Sequence, residues 1–382
     1  MLSQTLTAIP PAARRIAQSA TLSTLNAWLT SQQIAFSILS SAQGVTLLAP
    51  SNNALNQLLS SPFAIQLAED PNLLTAFLSY HVVNGVFSMA DLIAAQPGAS
   101  LPTFLNTQSY SNVTGGQKIE SRSQNGAVTF ISGSATQSNL EAFDLNYIGG
   151  TVHIIDSALS IPNTLTSTLL AGGFTAAVGA FRQVNVETNL NLATDVTIFV
   201  PTNDAFNAIA SALSSLTVEQ LTKVLNYHVV QGQVLYSQLL AGGGSVLTAE
   251  GRSLNIRAES GGLFVNSARV LQSDILISNG VVHIVDGVLN PTNTTATPNP
   301  SATTEAPAFD GATTTAGGVP FTSAVLTLTI ATTNTPAAPP PTITISSPPP
   351  AVVPGSASDR TAAVGVFLAA VLGGVAVFAN LA

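Results

Sequence analysis

Residues 80–83 read YHVV and residues 227–230 read YHVV again, in a chain of 382 residues with only four histidines. The other two histidines recur as well, in GTVHIID around His153 and GVVHIVD around His283, so every histidine lies in a repeated motif. Overlaying the YHVV copies brings TLLAPSNNAL (46–55) over TIFVPTNDAF (197–206), and FDLNYIGGTVHIID (143–156) over SDILISNGVVHIVD (273–286). The three landmarks lie 151, 147 and 130 residues apart, so their order is kept and the first copy is longer in its middle, around LNTQSYSNVTGGQ. Three motifs in one order, twice, are a duplication. They place one domain at 1–160 and a second at 162–290, each of ordinary single-domain size.

Local chemistry assigns each motif an element. VTLLAP and TDVTIFVP are β-rich runs closed by a proline, which has no N–H to give a ladder. The Ser, Thr, Asn and Asp that follow in SNNAL and PTNDAF are side-chain acceptors for a helix N-terminus. Leu74, Phe77, Leu78 and His81 recur at helical spacing, as do Leu221, Val224, Leu225 and His228, so both YHVV motifs close helices with the histidine on the apolar face. A neutral imidazole buried there needs partners, which predicts a core histidine tying the helix end to neighbouring backbone. Gly149-Gly150 and Asn279-Gly280 predict two-residue hairpin turns that use positive φ. In the strand after each turn, His153 and Asp156 fall on opposite faces, about 10 Å apart, and cannot form a dyad.

Composition narrows the function. A hydrophobic share of 46% is ample for two cores, whereas only 7% of residues are charged, which points to glycans as the solubilising groups. A net charge of −8 with ten scattered Lys and Arg gives no basic stripe, so nucleic acid is not an expected partner. Cysteine is absent, removing disulfides, thiol nucleophiles and iron–sulfur ligation. Gly-x-Ser-x-Gly, His-Glu-x-x-His and a phosphate loop are also missing, so no catalytic residue, metal or cofactor is expected and the chain reads as a non-enzyme.

After Asn290 the composition changes to Thr, Ala, Pro and Ser. Residues 291–360 are expected to form a disordered, O-glycosylated Ser/Thr/Pro-rich stalk. Residues 361–382 are uncharged and long enough to span a bilayer, and three readings compete: a single-pass anchor, a cleaved lipid-anchor signal, or a buried helix. The run ends without Lys or Arg behind it, which favours a GPI signal. Small residues just before the tail place lipidation near Gly355 or Ser356. The start, MLSQTLTAIPPAARRIAQSA, shows no apolar signal-peptide core, which conflicts with a secreted fate unless the sequence lacks its true beginning. Asn112 (Asn-Val-Thr) and Asn293 (Asn-Thr-Thr) are the only sequons with a permitted middle residue, so N-glycans are expected at these two and nowhere else; Asn290 and Asn299 are followed by proline and are expected to stay bare.

These motifs resemble the fasciclin-like domain, in tandem. The signature T-x-F-x-P-T-N-D-A-F, a central Tyr-His and a late N-G-x-V-H-x-I-D are matched by Thr197–Phe206, Tyr227-His228 and Asn279–Asp286. The first copy departs at Ser51, Asn53 and Leu55 and has Gly149 where Asn is usual. The resemblance implies an α+β fold, each domain a β-wedge packed with short α-helices, and a role in cell adhesion or wall and matrix association. The stalk and the missing cysteines look most like a fungal, GPI-anchored member.

In animal members the Tyr-His region and an Asp-Ile pair are associated with integrin binding. The positions carry over to Tyr80, His81, Asp144 and Leu145, and to Tyr227, His228, Asp274 and Ile275, as candidate binding residues whatever the partner. The expected partner is a cell-wall or matrix component, or another cell-surface protein, including a second copy of this one. Membrane attachment would be through the lipid anchor, and the location the cell surface. The alternative is a lipid or small-molecule binding module, which would need a sizeable apolar pocket.

Overall fold

Val45–Pro50 (β1) and Val196–Pro201 (β8) are buried along their whole length, and each ends at its proline. Ser51 and Thr202 then cap the next helices, their hydroxyls accepting from the amides of Ala54 and Ala205. The strand, turn and helix expected at both sites are therefore present. The computed structural model describes residues 11–31, 43–96, 98–147, 149–260, 262–293, 296–302, 305–315 and 318–322. All of them lie in one compact unit that ends at residue 326.

In the first copy the strands are β1, Val82–Asn84 (β2), Gly98–Pro102 (β3), Lys118–Gln124 (β4), Ala127–Ile131 (β5), Gln137–Tyr147 (β6) and Gly150–Ile155 (β7). In the second they are β8, Val229–Gln231 (β9), Gly244–Leu247 (β10), Ser253–Glu259 (β11), Gly262–Val265 (β12), Ala268–Ile277 (β13) and Gly280–Val285 (β14). The sheet orders are β2-β1-β7-β6-β5-β4-β3 and β9-β8-β14-β13-β12-β11-β10, one topology used twice. Every pairing is antiparallel except β1 with β7 and β8 with β14. The long strands β6 and β13 both carry register shifts in mid-strand, and such bulges bend a strand and sharpen its twist. Each bent strand pairs with the central strands at one end and with the outer hairpins at the other, which makes the expected wedge.

The hairpin turns fall one residue earlier than the sequence predicts. Tyr147 pairs with Gly150 and Ile277 with Gly280, so the second turn is Ser278–Asn279, and Gly150 and Gly280 open their strands. Their glycine has a different cause. A Cβ at Gly150 would lie 2.0 Å from the Val45 carbonyl oxygen, and one at Gly280 would lie 1.9 Å from that of Val196. The parallel neighbour runs too close for any side chain.

The helices Pro71–Tyr80 and Val218–Tyr227 end at His81 and His228, as the apolar spacing requires. They pack on the sheets through Leu74 and Phe77, and through Leu221, Val224 and Leu225, all buried.

Part of the stretch after Asn290 is described with the second copy. Described residues between 305 and 322, in the stretch that composition assigns to the stalk, lie against the second copy. Phe309, Ala312, Val319 and Phe321 pack on its core, and Phe321 meets Phe206 edge-to-face at 6.0 Å. Ser211 and Thr313 exchange two hydrogen bonds, and Asn290 Nδ2 donates to the Ala308 carbonyl. Aromatic residues in an otherwise Thr/Ala/Pro stretch bury enough apolar surface to hold it down. The rest of the stalk, the tail at 361–382 and the lipidation positions Gly355 and Ser356 lie outside the described residues. Among the described residues no helix is long and apolar enough to cross a membrane.

Candidate functional site

The YHVV histidines form a matched pair of struts. His81 Nδ1 donates to the Phe77 carbonyl at 2.8 Å and Nε2 accepts from the Leu159 amide at 3.0 Å. His228 does the same with Val224 at 2.7 Å and Leu289 at 2.9 Å. Each imidazole thus stitches a helix end to the chain leaving the last strand. Removal from water lowers both pKa values to about 4, against the pull of the carbonyl bond, so both rings are neutral.

The hairpin histidines use the opposite tautomer. His153 Nε2 donates to the Phe87 carbonyl at 2.7 Å and Nδ1 accepts from the Asp144 amide at 3.1 Å. His283 Nε2 donates to the Leu235 carbonyl at 2.8 Å, and Nδ1 accepts from the Asp274 amide at 3.4 Å. Burial lowers both pKa values, partly offset by those carbonyls and the nearby Asp144 and Asp274 carboxylates. Asp144 and Asp274 sit at the bulges with φ of 55° and 61°, a left-handed conformation that Asp tolerates better than most residues. Their carboxylates then accept from the Met89 and Ser237 amides at the starts of short helices. Thr46 and Thr197 complete each framework, donating to the Gly85 and Gln233 carbonyls and accepting from the Phe87 and Leu235 amides. The motif aspartates Asp156 and Asp286 accept from the amides of Asn139 and Arg269 on the preceding strand, well away from any histidine dyad.

This placement puts most of the candidate binding residues inside the fold. Tyr80 and Tyr227 are 0% exposed, His81 is 3% and His228 is 1%, so the Tyr-His pairs are internal in both copies. The tyrosine hydroxyls donate to the Lys118 and Ser253 carbonyls. Asp274 and Ile275 are buried, while Asp144 and Leu145 are half-buried. A partner would have to open the fold to reach most of this set.

What the motifs did not reveal is the seam between the copies. It is built from the extra length in the first copy: Asn112, Thr114 and Gln117 all lie in LNTQSYSNVTGGQ or beside it. Gln117 Nε2 donates to the Ile277 carbonyl at 2.9 Å, and the Asn112 amide to that of Ser278 at 2.7 Å. Gln238 of the second copy donates to the Glu120 carboxylate and accepts from the Ser100 amide. Glu120 is buried there, and its pKa is pushed up to about 8 by desolvation, with the facing Asp274 carboxylate adding to it and Ser100, Lys118 and Arg122 opposing. The length mismatch between the copies was the available signal.

Two spaces remain. The apolar cavity lined by Leu25, Trp28, Leu47, Phe77 and Val82 holds about 30 Å³, water-sized against the roughly 300–1,000 Å³ of ligand pockets. Beside the seam, a cleft of about 610 Å³ is lined by Phe63, Gln66, Ser109, Tyr110, Asn163 and Ser278, among other uncharged residues. Tyr110 is held in its wall by donating to Asp70 at 2.7 Å. Among the described residues no group of three acidic, His or Cys side chains is placed to hold a metal.

A twice-used β-wedge braced by buried Thr, His and Asp defines a tandem-module protein whose signature residues serve the fold. Residues 20–162 and 172–291 match the Fasciclin domain, and the chain belongs to the fasciclin family. It is 34% identical over 299 residues to a fasciclin-like arabinogalactan protein of Arthroderma benhamiae, covering 78% of this chain and 70% of that one. It is 32% identical over 253 residues to fasciclin-like arabinogalactan protein CTB11 of Cercospora beticola, covering 64% and 67%. Among solved structures it is similar to a FAS1 domain pair from the insect cell adhesion molecule fasciclin I, at 18% identity and a TM-score of 0.33, covering 73% of this chain and 97% of that one.

Proposed function

We propose that this chain is a non-enzymatic cell-surface protein that binds neutral polysaccharide of a wall or matrix, displayed on a lipid-anchored stalk. The observation that carries the reading is the uncharged cleft beside the seam, whose lining combines the aromatic rings of Phe63 and Tyr110 with the amides and hydroxyls of Gln66, Asn163, Ser109 and Ser278. Rings that stack on apolar sugar faces, set among hydrogen-bonding groups without charge, suit a neutral glycan. The non-enzymatic reading is supported by the histidines, each of which commits both ring nitrogens to backbone groups. Surface display is supported by the fungal relatives named as fasciclin-like arabinogalactan proteins, and two modules on one tether raise avidity through effective concentration.

The test is a panel of wall polysaccharides against the secreted protein, with Phe63→Ala and Tyr110→Phe as variants and a cell-aggregation assay alongside. Phe63→Ala should weaken binding of the retained polysaccharide about tenfold, as expected for loss of roughly 1.4 kcal/mol. Binding that survives Phe63→Ala unchanged puts the glycan elsewhere, and aggregation without polysaccharide binding replaces this reading with homophilic adhesion. Lipid anchorage is read separately, by release from the surface with phosphatidylinositol-specific phospholipase.

A further inference from the structure

The sequon Asn112-Val113-Thr114 is built into the seam. Asn112 Nδ2 points both its hydrogens at the second copy, donating to the Leu192 carbonyl at 3.0 Å and the Ala193 carbonyl at 3.3 Å. Its Oδ1 accepts from the Thr194 hydroxyl at 3.0 Å, its amide donates to Ser278, and its carbonyl accepts from Asp195. Thr114 donates from its amide and its hydroxyl to the Asp195 carboxylate. Asp195 holds a left-handed φ of 53°, and Asn279 of the second copy donates its own Nδ2 to the Leu190 and Ala193 carbonyls. The 190–195 linker is thus gripped from both copies by one amide each.

We infer that N-glycosylation of Asn112 and docking of the two copies are mutually exclusive, so that the sequon is a covalent switch of the seam. Glycosylation forms a bond from Nδ2 to the anomeric carbon of a polyprenyl-diphosphate oligosaccharide as the anomeric bond to the diphosphate breaks and one amide proton leaves. The sugar would take the place of one of the two hydrogens now aimed at Leu192 and Ala193. A carbonyl oxygen about 3 Å from the nitrogen leaves no room for a pyranose ring. The transfer also needs the Thr114 hydroxyl, which docking gives to Asp195. An undocked chain leaves the whole sequon free; in a docked one both of its reacting groups are engaged by the second copy, with Asn112 half-buried and Thr114 still exposed.

The experiment secretes the full chain behind a supplied signal peptide, so failure reports on the seam and not on where the chain resides. Occupancy at Asn112 is mapped by mass spectrometry, and hydrogen exchange is followed at the Thr114 and Asp195 amides. A fraction carrying the glycan should exchange at both amides at least about tenfold faster than unglycosylated protein. An occupied fraction as protected as the bare one overturns the inference. If the parent emerges bare, Asp195→Ala, which removes the acceptor of both Thr114 bonds, should raise occupancy at Asn112. A variant as bare as its parent also overturns it, because the sequon is then silent for a reason other than docking.

Discussion

Replacing His228 with alanine tests the strut at the helix end. The change leaves the buried Leu289 amide without an acceptor and the Val224 carbonyl without its ring donor, and opens an imidazole-sized hole in the core. An orphaned buried amide costs about 1–3 kcal/mol and a large-to-small core change about 2–5, so a loss of about 3–6 kcal/mol is expected at pH 7. The pH dependence carries a second signature. Folding lowers the His228 pKa from 6.5 to about 4, so between those values the unfolded chain binds a proton that the folded chain refuses. Parental stability therefore falls as pH drops from 6.5 to 4, by up to about 3 kcal/mol from this residue. The alanine variant lacks that loss, and the gap between the two proteins should narrow by about the same amount. Urea denaturation followed by circular dichroism at pH 7, 5.5 and 4 measures both quantities. A variant that melts with its parent at pH 7, or a gap that stays constant into acid, would refute the strut.

Gly280→Ala should cost at least about 3 kcal/mol, because the new Cβ lies 1.9 Å from the Val196 oxygen and β8 must move away; thermal melting reads the loss directly. Phe321→Ala should destabilise the second copy by about 1–3 kcal/mol, less than a fully buried Phe because Phe321 is half-buried, and urea titration of the full chain would show it. For Glu120, folding raises the pKa from 4.5 to about 8, so the folded protein holds a proton that the unfolded chain releases. Stability should fall as pH rises through that window, opposing the histidines, and Glu120→Gln should abolish this fall while leaving the acid limb intact.

How far the fold was legible depended on whether the deciding contact was local. The proline-ended strands, the Ser51 and Thr202 caps and the helices closing at His81 and His228 could all be read from neighbours in sequence. The histidine partners followed in kind from the apolar spacing, but not in identity, since Leu159 and Leu289 lie beyond the last strand. Gly150 and Gly280 were read for the wrong reason, because the close approach comes from β1 and β8, distant in sequence. Phe309 and Phe321 were hidden by composition, since counting Thr and Pro says nothing of where an occasional aromatic can dock. The seam left only a difference in length between the copies, and the cleft, lined from both copies, left none.

The pairing of β1 with β7, and of β8 with β14, has a kinetic consequence. Each central strand is made early and must wait for the last strand of its module before it gains its parallel neighbour. Contacts so far apart in sequence fold slowly, because the intervening chain is ordered before the pairing rewards it. At synthesis rates of about 5–20 residues per second, the first module stays open for seconds after β1 appears. During that interval β1 has only the short β2 to pair with and its other edge is open, and the sequon at Asn112 has emerged ahead of the linker that will engage it. The order of synthesis thus gives a modifying enzyme its opportunity, and gives a chaperone that shields apolar strands its substrate.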